Sequence, residues 1–164
     1  MATLLESLER GEIAKIDAQL APREQELRCA YASPKLQKWL SGQLPNLGST
    51  WKIDQTPMEQ LDAYLAVYAS GAILTFGHSF NPIRHVAGGV WELKTADLRV
   101  FGWFPKKDHF IGHAANLAQA IKDGNLYNGY AGEVAYFRDR LDLNDPKFIP
   151  GDNPNDVISA YRFP

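Results

Sequence analysis

Eight basic side chains give this sequence its clearest chemical potential: Arg84, His85, Lys94, Arg99, Lys106, Lys107, His109 and His113. Guanidinium and ammonium groups bind phosphate and stabilise negative charge as it develops, and imidazole exchanges protons near neutral pH. Cleavage of an RNA phosphodiester needs a base for the 2′-hydroxyl, cations for the phosphorane and an acid for the leaving oxygen. Arg84, Lys94 and Arg99 are the candidate phosphate-binding residues, and His85, His109 and His113 are the candidate proton carriers. Across residues 81–112 the bases Arg84, Lys94, Arg99, Lys106 and Lys107 outnumber the acids Glu92, Asp97 and Asp108. Lys and Arg on the polar face of a strand are also ordinary solvated positions. The chemical reading therefore requires these side chains to share one surface.

Other chemistries have less support. Walker A, G-x-S-x-G, H-E-x-x-H and G-x-G-x-x-G patterns are absent. His109 and His113 stand four apart, a spacing that holds a metal on a helix. On a strand the same spacing separates them, and no carboxylate offers a third ligand, so no metal or other cofactor is expected. The single cysteine, Cys29, excludes an intrachain disulfide and a Cys-rich zinc site. The net charge of −2 does not suggest a broad nucleic-acid surface, although it allows a local basic patch. The N-terminal residues do not read as a signal peptide, and no run approaches the ~18 apolar residues of a membrane span. A cytoplasmic protein without membrane contact is expected.

The elements that position these residues are legible as pattern. Across 164 residues, 45% hydrophobic and 22% charged, the chain has enough apolar material for one domain with an appended arm. Residues 3–28 repeat Leu and Ile at helical spacing, interrupted at Gly11 and Pro22. Ser33 and Pro34 form a cap and first-turn pair for a helix that Gly42 ends. Residues 50–54 read as a short strand. Thr56 and Pro57 then start a helix over 57–70, with Gly71 as its C-cap. Residues 72–76 fit either a short helix or a strand. Residues 90–94 alternate apolar and polar side chains, and 98–104 and 109–113 read as two further short strands joined by tight turns, so the three form an antiparallel meander. Helices are expected over 114–123 and 134–141. Tyr127 and Tyr130 lie in a Gly- and Asn-rich loop that either presents them for stacking or caps the core with them. The Pro-rich tail from Asn144 reads as irregular.

The predicted class is α+β: a small antiparallel sheet with packed helices and an N-terminal helical extension. The division is 1–48 for the extension, 49–143 for the main domain and 144–164 for the tail. Strand 50–54, helix 57–70, a Gly-Gly connection and the meander resemble, in that order, the RelE/HigB superfamily of bacterial toxins, which includes phage-derived members. The matching runs are Trp91-Glu92-Leu93-Lys94, Leu98-Arg99-Val100-Phe101 and Phe110-Ile111-Gly112-His113. The resemblance implies a RelE-like fold, a small sheet with helices on one side. It also implies metal-independent cleavage of mRNA on the ribosome and a partner antitoxin protein. It places Lys94 and Arg99 at positive strand positions, with Arg84 and His85 just ahead of the sheet. A related branch inhibits DNA gyrase, so the alternative is a non-catalytic protein-binding module on the same fold, a gyrase-directed inhibitor or a phage accessory protein. The slightly acidic balance and the Ala114-Ala115-Asn116-Leu117 run, where the toxins carry Lys-Lys-Thr, fit that alternative.

Overall fold

A computed structural model describes residues 1–84 and 88–164. In chain order the elements are α1 (Leu4–Glu9), β1 (Ala14–Lys15), β2 (Cys29–Ala32), α2 (Pro34–Gly42), α3 (Pro57–Ala69), β3 (Leu74–Thr75), β4 (Phe80–Pro82), β5 (Val90–Lys94), β6 (Leu98–Lys106), β7 (His109–Leu117), α4 (Ala118–Gly124), α5 (Tyr127–Arg140), α6 (Pro154–Val157) and β8 (Tyr161–Arg162). A short 3-10 turn, Leu44–Asn46, follows α2. The main sheet has six strands in the order β1-β2-β7-β6-β5-β4. Its neighbours pair antiparallel except β2 and β7, which run parallel with Cys29 opposite His109 and Ala32 opposite Gly112.

The α+β class holds, but the sheet is larger than the small antiparallel one expected, and it is mixed. The predicted meander forms its centre, and β6 and β7 run past their predicted ends. Residues 114–117 continue β7 instead of opening a helix, because β6 extends opposite them and pairs Leu98 with Leu117 and Arg99 with Asn116. Residues 50–54 form turn and loop, not a strand. A leading strand exists, but it is β2, inside the segment expected to be helical. Its partner β7 supplies the ladder that local spacing does not reveal. Residues 1–48 thus contribute two strands to the sheet instead of forming a separate helical arm.

Alternation along the strands builds two cores, one on each face. On one face Phe80, Trp91, Leu93, Leu98, Val100, Phe104 and Phe110 pack against Leu36 of α2 and Leu61, Leu65 and Tyr68 of α3. On the other, Tyr31, Val90, Phe101, Trp103 and Ile111 pack against Ile121 of α4 and Ala131 and Val134 of α5. Helices therefore cover both faces. The strands approach closely at Gly102, where an added Cβ would sit 2.0 Å from the Ile111 carbonyl oxygen.

The predicted helix caps form. Ser33 Oγ accepts from the Leu36 backbone N–H at 3.3 Å. At α3, Thr56 Oγ1 accepts from Glu59 N–H while Glu59 Oε1 accepts from Thr56 N–H, both at 3.2 Å, a reciprocal capping box. Gly71 follows α3 at φ +81°, a conformation that costs glycine little. The tail is ordered by contact: β8 pairs with β3, and Val157 and Ile158 are buried in the first core. Among the described residues no helix is long and apolar enough to cross a membrane.

Arg28 ties these distant segments together. Its side chain is fully buried, and its guanidinium donates to the carbonyls of Tyr68 at 2.9 Å, Ala72 at 2.8 Å and Ala160 at 2.9 Å. The Asp108 carboxylate lies 3.5 Å from Nε. Replacing Arg28 with Met leaves these acceptors without their donor and Asp108 without its cation. The expected loss is about 3–5 kcal/mol of folding stability, read from the urea midpoint.

Candidate functional site

The β5–β6 hairpin brings two cations together. Lys94 ends β5, Arg99 follows at the start of β6, and the two are direct cross-strand partners. The turn between them is held internally by Thr95 N–H donating to the Leu98 carbonyl at 3.1 Å and by Leu98 N–H donating to Thr95 Oγ1 at 3.0 Å. It is held externally by Asp97, which is buried. The Asp97 carboxylate accepts from Ser49 Oγ at 2.6 Å, Gln60 Nε2 at 2.6 Å and Thr50 N–H at 3.0 Å. Gln60 Oε1 in return accepts from Asp97 N–H at 3.0 Å. Burial opposes the charge on Asp97, but the bonds from Ser49, Gln60 and Thr50 outweigh it and hold the carboxyl below its usual range. The hairpin end is thereby fixed to α3 and to the loop before it.

A pocket of about 380 Å³ opens at this end, lined by His78, Ser79, Lys94, Thr95, Ala96 and Arg99. Its described lining carries three basic side chains and no acid. Lys94 Nζ donates to the Gly77 carbonyl at 2.9 Å. Arg99 Nη1 donates to the carbonyls of Thr95 at 2.7 Å and Leu98 at 2.8 Å, which orients the guanidinium. Arg99 Nε is buried and has no hydrogen-bond partner among the described residues. Burial, and then the adjacent Arg99, lower the pKa of Lys94. Two crowded cations of this kind favour an anion between them. Neighbouring Glu92 is buried and has an unpartnered Oε2 among the described residues. Burial pushes its carboxyl up, against the pull of Arg99 and Lys94. Tyr127 lies near both Glu92 and Arg99, and burial raises its hydroxyl.

The other described site residues, Arg84, His109 and His113, do not line this pocket. Arg84 is exposed and forms an ion pair with Asp152 at 2.8 Å. His109 lies at the opposite end of β7, with Nδ1 2.9 Å from the Tyr31 hydroxyl. His113 is buried, its Nδ1 2.8 Å from Ser33 Oγ and its ring stacked on Phe137 at 4.5 Å. His85 lies outside the described residues. Of the five predicted site residues that are described, Lys94 and Arg99 are brought together in the pocket. His78 was not identified from sequence, because it sits in a loop and reaches the pocket only through the pairing of β4 with β5. Tyr127 and Tyr130 pack on Phe101, with centroids at 5.7 and 5.3 Å, so the core-capping alternative describes them. Among the described residues no three His, Cys, Asp or Glu side chains are grouped to hold a metal.

Fold and site together define an α+β protein whose mixed sheet carries a cationic pocket at one hairpin end. Comparison with protein-family profiles, curated proteins and solved structures finds no match to this chain.

His113 makes stability depend on pH. Burial pushes its pKa down to about 4, Lys35 adds to the shift and Glu133 opposes it. The unfolded chain takes up a proton at this residue near pH 6.5, which the folded protein resists until about pH 4. Stability is therefore lost as the pH falls through that window, by about 3 kcal/mol from this residue. Urea titrations at pH 7.5 and pH 4 should show that loss in the wild type and its reduction in His113→Asn.

Proposed function

We propose that the Lys94 and Arg99 pocket binds the phosphodiester backbone of RNA and cleaves it without a metal, as the likeness to the RelE/HigB toxins implies. The observation that carries this reading is the direct cross-strand opposition of Lys94 and Arg99 in a pocket shared with His78. Exposed His78 takes the proton from the 2′-hydroxyl, and the 2′-oxygen attacks phosphorus. Arg99 stabilises the phosphorane oxygens. The bond from phosphorus to the 5′-oxygen breaks, leaving a 2′,3′-cyclic phosphate and a 5′-hydroxyl. Lys94, whose lowered pKa makes it a better acid, protonates the leaving oxygen. His109 and His113 have no part in this scheme. On this reading mRNA is the substrate, and an antitoxin would act by covering the pocket.

The test is a labelled mRNA fragment incubated with the protein, with bound and cleaved RNA measured separately. Arg99→Ala and Lys94→Ala are each expected to slow cleavage by about 10²–10³, and His78→Ala by about 10²–10⁴. RNA that is bound but left intact would favour the non-catalytic binding module. Absence of binding at low salt would overturn the reading.

A further inference from the structure

We infer that a second hollow, between α2 and α5 beside the far end of β7, is a nucleobase subsite neighbouring the phosphate pocket. This rests on the RNA reading above. β2 pairs with β7 only as far as Gly112, whereas β7 runs on to Leu117. Past Gly112 that edge of β7 leaves the ladder with β2. A hollow of about 180 Å³ lies there, its lining including Lys35, Trp39, Gln43, His113, Asn116 and Tyr130.

These features suit one flat, uncharged heterocycle with a hydrogen-bonding edge. The volume is below the roughly 300–1,000 Å³ of a drug-sized pocket, so the hollow takes a single ring system. Trp39 provides aromatic surface for stacking, and the Tyr130 ring, itself stacked on Phe101, borders the hollow. Gln43 is exposed and offers both amide donors and an acceptor. Asn116 gives one N–H to the Tyr130 hydroxyl at 3.0 Å and accepts from Leu117 N–H at 2.8 Å. One donor and one acceptor position of its amide remain for a ligand. The charge of Lys35 is met by an ion pair with Glu133 across the two helices. A second phosphate therefore finds no unpaired cation in this lining, whereas a neutral base finds stacking surface and amide groups. Asn116 is also the direct cross-strand partner of Arg99. The two hollows thus each take a lining residue from one cross-strand pair.

The probe is a 2′-fluoro RNA trinucleotide, which lacks the attacking hydroxyl, compared with the same backbone carrying no bases. In calorimetric titrations the abasic ligand should bind at least tenfold more weakly. The base-bearing ligand should quench tryptophan fluorescence in the wild type and not in Trp39→Phe. Gln43→Ala, an exposed position, should weaken the base-bearing ligand severalfold and leave the abasic ligand unchanged. Equal affinities for the two ligands would overturn the nucleobase subsite while the phosphate pocket stands. Binding and quenching that persist in the Lys94→Ala, Arg99→Ala double variant at full strength would support the subsite and overturn the phosphate reading. If neither ligand binds, both fall.

Discussion

The Asp97 carboxylate, buried at the β5–β6 turn, is the constraint on which the geometry of the site depends. A carboxylate taken out of water is costly unless hydrogen bonds replace its solvation. Here Ser49, Thr50 and Gln60 supply them, so the turn cannot move without breaking bonds to α3 and to the loop ahead of it. The rigidity extends to the two residues flanking the turn. Lys94 and Arg99 repel one another, and a free hairpin end would let them splay apart. Anchored as it is, the turn keeps two like charges side by side.

Features resting on local rules were legible in the sequence. The meander declared itself because short apolar segments bounded by turn residues follow one another directly. The Ser33 and Thr56 caps declared themselves because an N-cap followed by proline satisfies a local need for acceptors. The opposition of Lys94 and Arg99 is local too, since four residues separate them across the turn. Features resting on distant partners were not legible. The sequence Cys29-Ala30-Tyr31-Ala32 acquires strand character from β7. The run Ala114 to Leu117, composed of residues common in helices, is held extended by β6. His109 and His113 read as reactive because imidazole titrates near neutrality. Packing against Tyr31 in one case and Phe137 in the other removes them from the pocket, and no local pattern reports that.

The helical cover on both faces explains why so few polar groups of the sheet remain available. With α2 and α3 on one side and α4 and α5 on the other, most strand residues are committed to one of two cores. Open surface survives where the cover stops. One such place is the hairpin end beside the short strand β4, and another is the stretch of β7 beyond the end of β2. The two hollows lie at these gaps, so their location follows from element lengths as much as from the residues that line them.

The parallel pairing of β2 with β7 carries a consequence for biosynthesis. Cys29 must wait for His109, and Ala2, which bridges to Leu143, must wait longer still. A chain made from its N-terminus emerges with β2 lacking its neighbour until the meander has been translated. During that interval the edge of β2 is open to other extended chains. The hairpin of β5 and β6, whose contacts are close in sequence, can close as soon as it clears the ribosome and then serve as the template on which β7, and after it β2, assemble.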